Sequence, residues 1–134
     1  MISEITLSLI RSFREPIISK MSDIKDELLF LFNDGLPTYI ESFKNKFEES
    51  KTFLFRDQKV KFNDTYYPIT LTNKKYKYKI DQVESLYRNG NYTTIIGNAG
   101  SGKSMQMKFV FLKTLYLKVK IPIFIELKSI NEFD

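Results

Sequence analysis

One stretch of the chain has the residue types and the spacing of a phosphate-binding loop. Residues 97–104 read GNAGSGKS and match the pattern G-x-x-x-x-G-K-[ST] at every fixed position. Glycine lets the backbone adopt positive φ angles and approach phosphate oxygens without an intervening Cβ atom. Successive N–H groups of such a loop can point into one concave nest, which is an anion site made of main chain. The spacing therefore predicts a loop that binds the phosphates of a nucleotide.

The side chains that end the loop have separate predicted roles. Lys103 can reach the β- and γ-phosphates as a mobile positive charge, and the Ser104 hydroxyl can be a ligand of Mg²⁺. A helix beginning near Gly102 would add the positive end of its dipole. The predicted nucleotide-binding residues are Gly97, Asn98, Ala99, Gly100, Ser101, Gly102, Lys103, Ser104 and Met105.

The flanking residues predict the elements that would hold this loop. Residues 92–96 are β-branched and aromatic and follow a turn signal at 89–91, so they predict a strand entering the loop. Residues 105–117 lack glycine and proline, and their apolar residues recur at helical spacing. These are Met105, Phe109, Leu112 and Tyr116. The apolar run 121–127 predicts a second buried strand. The fold class is therefore α/β: a helical region, then the first βαβ unit of an incomplete parallel sheet.

The composition excludes several functions. The 134 residues include no cysteine and no histidine, which excludes disulfides, thiolate catalysis, Cys/His zinc sites and a Ser-His-Asp triad. The net charge of +5 suits anionic partners but specifies none. No apolar run approaches the roughly 18 residues of a membrane span, and the N-terminus lacks the features of a signal peptide. We therefore expect a cytoplasmic protein that does not bind a membrane.

Residues 1–50 predict a helical region. The first helix has an apolar stripe and should end or kink at Pro16. The stripe consists of Ile2, Ile5, Leu9 and Phe13. Ser22 can cap a second helix that stops at residues 33–35, and a third helix begins near Pro37. The third helix carries one apolar face (Ile40, Phe43 and Phe47) and a predicted solvated face (Lys44, Lys46, Glu48, Glu49 and Lys51). These helices could bind a protein partner, but a structural role is favoured.

Residues 51–90 predict a mixed lead-in of strands and a helix. The predicted strands and the helix that follows are 52–55, 59–62, 66–71 and 80–88. Residues 74–79 read KKYKYK, and such alternation could follow a nucleic-acid backbone and stack on bases. An exposed strand with solvated lysines and tyrosines packed on one side is favoured, because no second nucleic-acid element occurs. Nucleic acid is therefore not an expected partner.

The phosphate loop and its surroundings resemble the start of a NACHT domain. The resemblance consists of residues 95–104, the following helix and the run IPIFIELK at 121–128. Upstream, residues 51–55 and 67–71 are similar to the lead-in of bacterial NACHT proteins. The likeness covers about residues 51–130, and the strand close behind the loop distinguishes it from generic P-loop proteins.

The resemblance implies a molecular switch of the STAND class of ATPases, many of which act in defence against phage. Such proteins rest with ADP, exchange it for ATP when a sensor is engaged, form homo-oligomers and activate an effector. By this likeness the cofactors are ATP or ADP with Mg²⁺. Gly100, Gly102, Lys103 and Ser104 would hold the β-phosphate and the metal, and residues 66–83 would lie near the adenine.

The sequence also departs from the NACHT pattern. The acidic Walker B residue at the end of a later strand is missing, since Glu126 and Glu132 come too early. We therefore expect an N-terminal fragment that binds nucleotide without efficient hydrolysis. Its expected divisions are a helical region at 1–50, the lead-in at 51–90 and the start of the NTPase domain at 91–134. Two alternatives remain open: a P-loop small-molecule kinase, and a non-catalytic interaction module centred on residues 1–50.

Overall fold

The computed structural model describes residues 2–18, 30–52, 55–72, 75, 77–88 and 92–130. These residues form helices α1 (Glu4–Ile18), α2 (Leu36–Glu48), α3 (Phe62–Thr65), α4 (Val83–Arg88), α5 (Lys103–Leu117) and α6 (Leu127–Ile130), a π-helical turn (Leu31–Gly35), and strands β1 (Glu49–Thr52), β2 (Phe55–Lys61), β3 (Thr70–Thr72) and β4 (Lys77–Lys79). The predicted mixture of helices and strands is confirmed. The predicted cap at Ser22, the turn at 89–91 and Glu132 lie outside the described residues.

The strands pair differently from the prediction. Within the described ranges they form two antiparallel hairpins, β1 with β2 and β3 with β4, where Leu71 lies opposite Tyr78. Residues 92–98 and 121–126, expected to begin a parallel sheet, have no strand pairing. The predicted incomplete parallel sheet is therefore wrong for this part of the chain. A β-branched run becomes a strand only where a neighbour bonds to its N–H and C=O groups, and its own side chains cannot provide that neighbour.

Residues 121–126 bond to a side chain instead of a neighbouring strand. The Tyr39 hydroxyl accepts a hydrogen bond from the Phe124 N–H (2.6 Å) and donates one to the Phe124 carbonyl oxygen (2.5 Å). The Phe124 ring packs against Phe47 with 4.8 Å between ring centroids. Glu126 forms an ion pair with Lys46 at 3.5 Å. These contacts attach the segment to α2.

The predicted helix stop at residues 33–35 is wrong. Gly35 has φ −66° and ψ −55°, and the helical path continues through it into α2. Pro37 has no N–H group and its ring disfavours the standard bonding of the preceding turn. The chain forms a π-helical turn just before it, in which the Leu36 N–H donates to the Leu31 carbonyl oxygen. Near the other end of this region, α1 includes Pro16 and ends at Ile18, two residues later than the predicted boundary.

Helix α5 contributes to both hydrophobic clusters of the fold. The first cluster contains Phe47, Phe62, Ile80, Phe109, Phe111 and Leu112. The second contains Leu9, Ile10, Phe32, Ile40 and Leu115. Met105 and Tyr116 are half-buried against the first cluster, so the predicted apolar spacing of this helix is confirmed. Helix α5 therefore shares its core with the N-terminal helices.

A buried carboxylate connects α1 to α2. Glu41 accepts hydrogen bonds from the Ser3 N–H (3.2 Å), the Ser3 hydroxyl (2.9 Å) and the Thr6 hydroxyl (2.8 Å). Lys44 contacts Glu41 at 3.3 Å and Glu48 at 3.4 Å. Lys44 is itself buried, so its assignment to a solvated face is wrong. The sequence pattern of mixed charges could not show that two carboxylates surround this ammonium group.

Candidate functional site

The backbone of residues 97–102 has the positive φ angles for which glycine is suited. Gly100 has φ 77° and Gly102 has φ 82°, both in the left-handed region. An added Cβ at either position would meet no atom within 4 Å, so the space beside the loop is open. The loop turns tightly, with the Ser101 N–H donating to the Asn98 carbonyl oxygen at 3.2 Å. A phosphate group can therefore approach the main chain on this side.

Helix α5 begins immediately after the loop and has no side-chain cap. Gly102 is the N-cap residue, and the first turn contains no acidic residue. The first bond of the helical ladder runs from the Gln106 N–H to the Gly102 carbonyl oxygen at 2.9 Å. The N–H groups before it have no intrahelical acceptor because they open the helix. This end of the helix carries partial positive charge, which favours an anion.

The Lys103 side chain folds back over the loop. Its ammonium group donates to the carbonyl oxygens of Gly97 and Asn98, both at 2.7 Å, and to the Ser101 hydroxyl at 3.3 Å. A Cβ at Gly97 would lie 2.7 Å from the Ser101 hydroxyl oxygen, so a larger residue at position 97 would clash with this arrangement. All three bonds are at the exposed surface, where a phosphate oxygen could replace a carbonyl oxygen as acceptor.

Ser104 lies in the first turn of α5 and is exposed. Among the residues that the structure describes, no group of three or more His, Cys, Asp or Glu side chains could hold a metal ion. A single hydroxyl fits the way Mg²⁺ binds with a nucleotide, because the ion then takes most of its ligands from phosphate and water. The exposed Ser104 hydroxyl could be one ligand of an ion bound in this way.

The two segments predicted as strands lie beside the same part of α5. A groove of about 340 Å³ is lined by Ile95 of one segment, by Ile121 and Ile123 of the other, and by Val110 of the helix. Several apolar side chains of these segments are exposed: Tyr92 (90%), Ile96 (90%), Ile123 (63%) and Ile125 (65%). The structure thus brings the predicted elements together around the helix, without the hydrogen bonds of a sheet.

The basic hairpin agrees with the favoured prediction where it is described. In β4, Lys77 and Lys79 are exposed and Tyr78 is half-buried between them. Residues 74 and 76 lie outside the described ranges. This arrangement is that of an exposed strand with its tyrosine turned toward the protein.

Sequence reasoning missed one polar residue in the first turn of α5, Gln106. Its side chain is fully buried, and neither amide atom has a hydrogen-bond partner in the described part of the chain. The only sequence signal is its position three residues after Lys103, in the first turn of α5. Helical spacing alone would have assigned such a glutamine to the surface.

The chain matches no protein-family model, no curated protein and no solved structure at a significant level. None of the described helices is long and apolar enough to be a candidate membrane span. Any functional assignment therefore depends on the loop, its helix and their surroundings.

Proposed function

We propose that this chain is the nucleotide-binding part of a P-loop NTPase and binds the phosphates of ATP or ADP, with Mg²⁺, through residues 97–105. One observation carries the proposal. Two glycines with positive φ directly precede a helix that has no side-chain cap, and the Lys103 ammonium group folds back to the Gly97 and Asn98 carbonyl oxygens of the loop. This arrangement brings backbone donors, a helix N-terminus and a mobile cation to one exposed place.

The loop would bind the nucleotide through three kinds of group: backbone N–H groups, an ammonium group and a hydroxyl. The N–H groups of residues 100–104 would surround the phosphates, as in other main-chain anion sites. Lys103 would exchange its bonds to Gly97 and Asn98 for bonds to the β- and γ-phosphates. Ser104 would hold Mg²⁺, which supplies charge neutralisation between the phosphates when it is bound.

The sequence resemblance extends the proposal to a NACHT-type ATPase switch. Helix α5 joins the loop to Leu115, which packs with Leu9 and Ile40 of the N-terminal helices. A change of loop conformation that shifts α5 would therefore also shift Leu115 against that cluster. This contact supports a switch function for residues 1–50 together with the loop. Antiviral defence and homo-oligomer formation remain part of the proposal on the resemblance alone.

Neither alternative function has a specific observation in its favour. Small-molecule kinases usually begin close to their phosphate loop, whereas several helices and strands precede the loop in this chain. An interaction module centred on residues 1–50 would need an available apolar face. Leu9 is fully buried, and Ile5 and Phe13 pack against the same cluster, so the stripe of α1 is used within the fold.

A titration with fluorescent ATP, ADP and GTP, with and without Mg²⁺, tests the proposal. We expect micromolar binding of adenine nucleotides by the wild type. Lys103→Ala should weaken it about 10- to 100-fold, because a charge-assisted bond to phosphate is lost. Ser104→Ala should remove the Mg²⁺ dependence and leave metal-free binding in place.

Lys113→Ala is the matched control, since it removes one positive charge from the same helix away from the loop. Equal losses in Lys103→Ala and Lys113→Ala would mean that the nucleotide binds through general positive charge. A folded wild type that binds no nucleotide would overturn the proposal. Steady ATP hydrolysis abolished by Lys103→Ala would show that the chain does more than bind.

A further inference from the structure

The Gln106 side chain stands out because it is buried without hydrogen bonds. It is fully buried, and its Nε2 and Oε1 atoms have no partner among the described residues. Thr114 on the same helix is the normal case: it is also buried, and its hydroxyl pairs with the Tyr87 hydroxyl at 2.8 Å. Nearly all buried polar groups in proteins are paired, so an exception requires an explanation.

The position of Gln106 relates it to the phosphate loop. Its own N–H makes the first helical bond, to the Gly102 carbonyl oxygen at 2.9 Å. Side chains on a helix lean toward its N-terminus and cover the preceding turn. The Gln106 amide is therefore carried toward the turn that begins at Gly102 and Lys103. Lys103 occupies the exposed side of that turn, and Gln106 occupies the buried side.

Phosphate binding would change the hydrogen bonds of the loop. Lys103 now donates to the carbonyl oxygens of Gly97 and Asn98. If its ammonium group moves to a phosphate, the Gly97 oxygen loses this donor, while the Asn98 oxygen keeps the Ser101 N–H. The Gln106 amide offers one group that donates and one that accepts, in the first turn of the helix that follows this backbone.

We propose that Gln106 is a positioning residue of the phosphate loop, whose amide bonds to the loop backbone in the nucleotide-bound conformation. The inference rests on the proposed function, because it requires that the loop bind a nucleotide. The unpaired amide then belongs to the nucleotide-free conformation, which it destabilises. Pairing it on binding adds to nucleotide affinity, since only interactions that differ between two states can shift their equilibrium.

The test compares the wild type with Gln106→Met, which has nearly the same shape and no amide. Two measurements are made on each protein: the Kd for ATP with Mg²⁺, and the melting temperature without nucleotide. We expect a higher melting temperature, because the unpaired buried groups are gone. We expect nucleotide binding to weaken roughly 5- to 10-fold, because the bond formed on binding is lost.

Thr114→Val is the matched control on the same helix. It removes a buried hydroxyl that already has a partner, so its melting temperature should fall while its Kd stays unchanged. Gln106→Leu repeats the test with a second apolar side chain. A lower melting temperature in both Gln106 variants would overturn the inference, because the amide would then have a partner in the nucleotide-free protein.

The remaining outcomes separate this inference from the proposed function. A raised melting temperature with an unchanged Kd overturns the role of Gln106 and leaves nucleotide binding intact. A wild type that does not bind nucleotide, or that binds as well after Lys103→Ala, overturns both. Weaker binding in Gln106→Met together with higher stability supports the positioning role, since a purely structural residue would not change the two quantities in opposite directions.

Discussion

Two glycine-containing segments of this chain look alike in sequence and differ in structure. Residues 33–35 read Asn-Asp-Gly, and residues 98–100 read Asn-Ala-Gly. Gly35 has the φ and ψ of a right-handed helix, and the chain passes through it without turning. Gly100 and Gly102 both have positive φ, and the chain turns before a new helix begins.

The surroundings of the two segments explain the difference. Phe32 and Ile40 lie on either side of Gly35 and are buried in the same cluster, so a continuous helical path keeps both in the core. Residues 97–101 are exposed and have no such packing to satisfy. Glycine permits both conformations. Packing selects one of them at Gly35, whereas local turn geometry and the following helix select the other in the phosphate loop.

The largest loss of stability should come from replacing the glycines that have positive φ. Replacing both Gly100 and Gly102 by alanine should lower the free energy of unfolding by about 2–4 kcal/mol, because a left-handed conformation costs roughly 1–2 kcal/mol for each residue with a Cβ. Urea denaturation measures this loss, and the nucleotide titration should show weakened binding.

Ser101→Ala is the control for this double variant, since Ser101 lies between the two glycines and does not have positive φ. Its effect should stay within about 0.5 kcal/mol, as for most surface substitutions. If the double glycine variant were as stable as the wild type and bound nucleotide equally well, the loop conformation described above would not be the one in solution.

A smaller loss of stability should follow from weakening the contact between α1 and α2, the helix that continues from Gly35. Glu41→Gln removes the charge that joins α1 to α2, and stability at neutral pH should fall by about 1–3 kcal/mol. Urea denaturation of both proteins checks this value. Glu126→Gln is the control, because its ion pair with Lys46 is exposed and contributes little.

The Glu41 contribution should also depend on pH. Burial raises the pKa of Glu41, but hydrogen bonds from Thr6 and Ser3, with Lys44, outweigh it and bring the pKa below its ordinary value of 4.5. A carboxyl group with a lowered pKa stabilises the fold above its unfolded pKa and loses this effect as the pH falls through the folded value. The difference between wild type and Glu41→Gln should therefore shrink below pH 4.5; a constant difference would rule out the charge as its cause.

The smallest change in stability should come from Gly35→Ala, and it should be a gain where the other variants show a loss. The added Cβ would lie 3.5 Å from the Leu31 Cδ1 atom, an ordinary contact. Alanine restricts the unfolded chain and suits a helix, so thermal and urea denaturation should show a gain of about 0.5–1 kcal/mol. A loss of stability would mean that the helix does end here, as the sequence pattern first indicated.

Local patterns were sufficient for the buried sides of α1 and α5 and for the turn before α5. The spacing of Phe109 and Leu112 predicted the buried side of α5, and Leu9 marked the buried side of α1. The glycine positions predicted a turn directly before a helix with Lys103 at its start. These features depend on residues within a few positions of one another, so the sequence contains most of the information for them.

Contacts between distant residues decided the rest. Residues 121–126 have the composition of a strand, yet the backbone N–H of Phe124 donates to the Tyr39 hydroxyl, 85 positions earlier, and its carbonyl oxygen accepts a bond from the same hydroxyl. Gly35 is helical because Phe32 and Ile40 must enter one cluster, and Gln106 is buried because α5 is packed on more than one side. A sequence specifies which backbone groups need partners and which side chains avoid water. Only the folded chain determines which distant groups meet these needs, because that choice depends on the packing of all elements together.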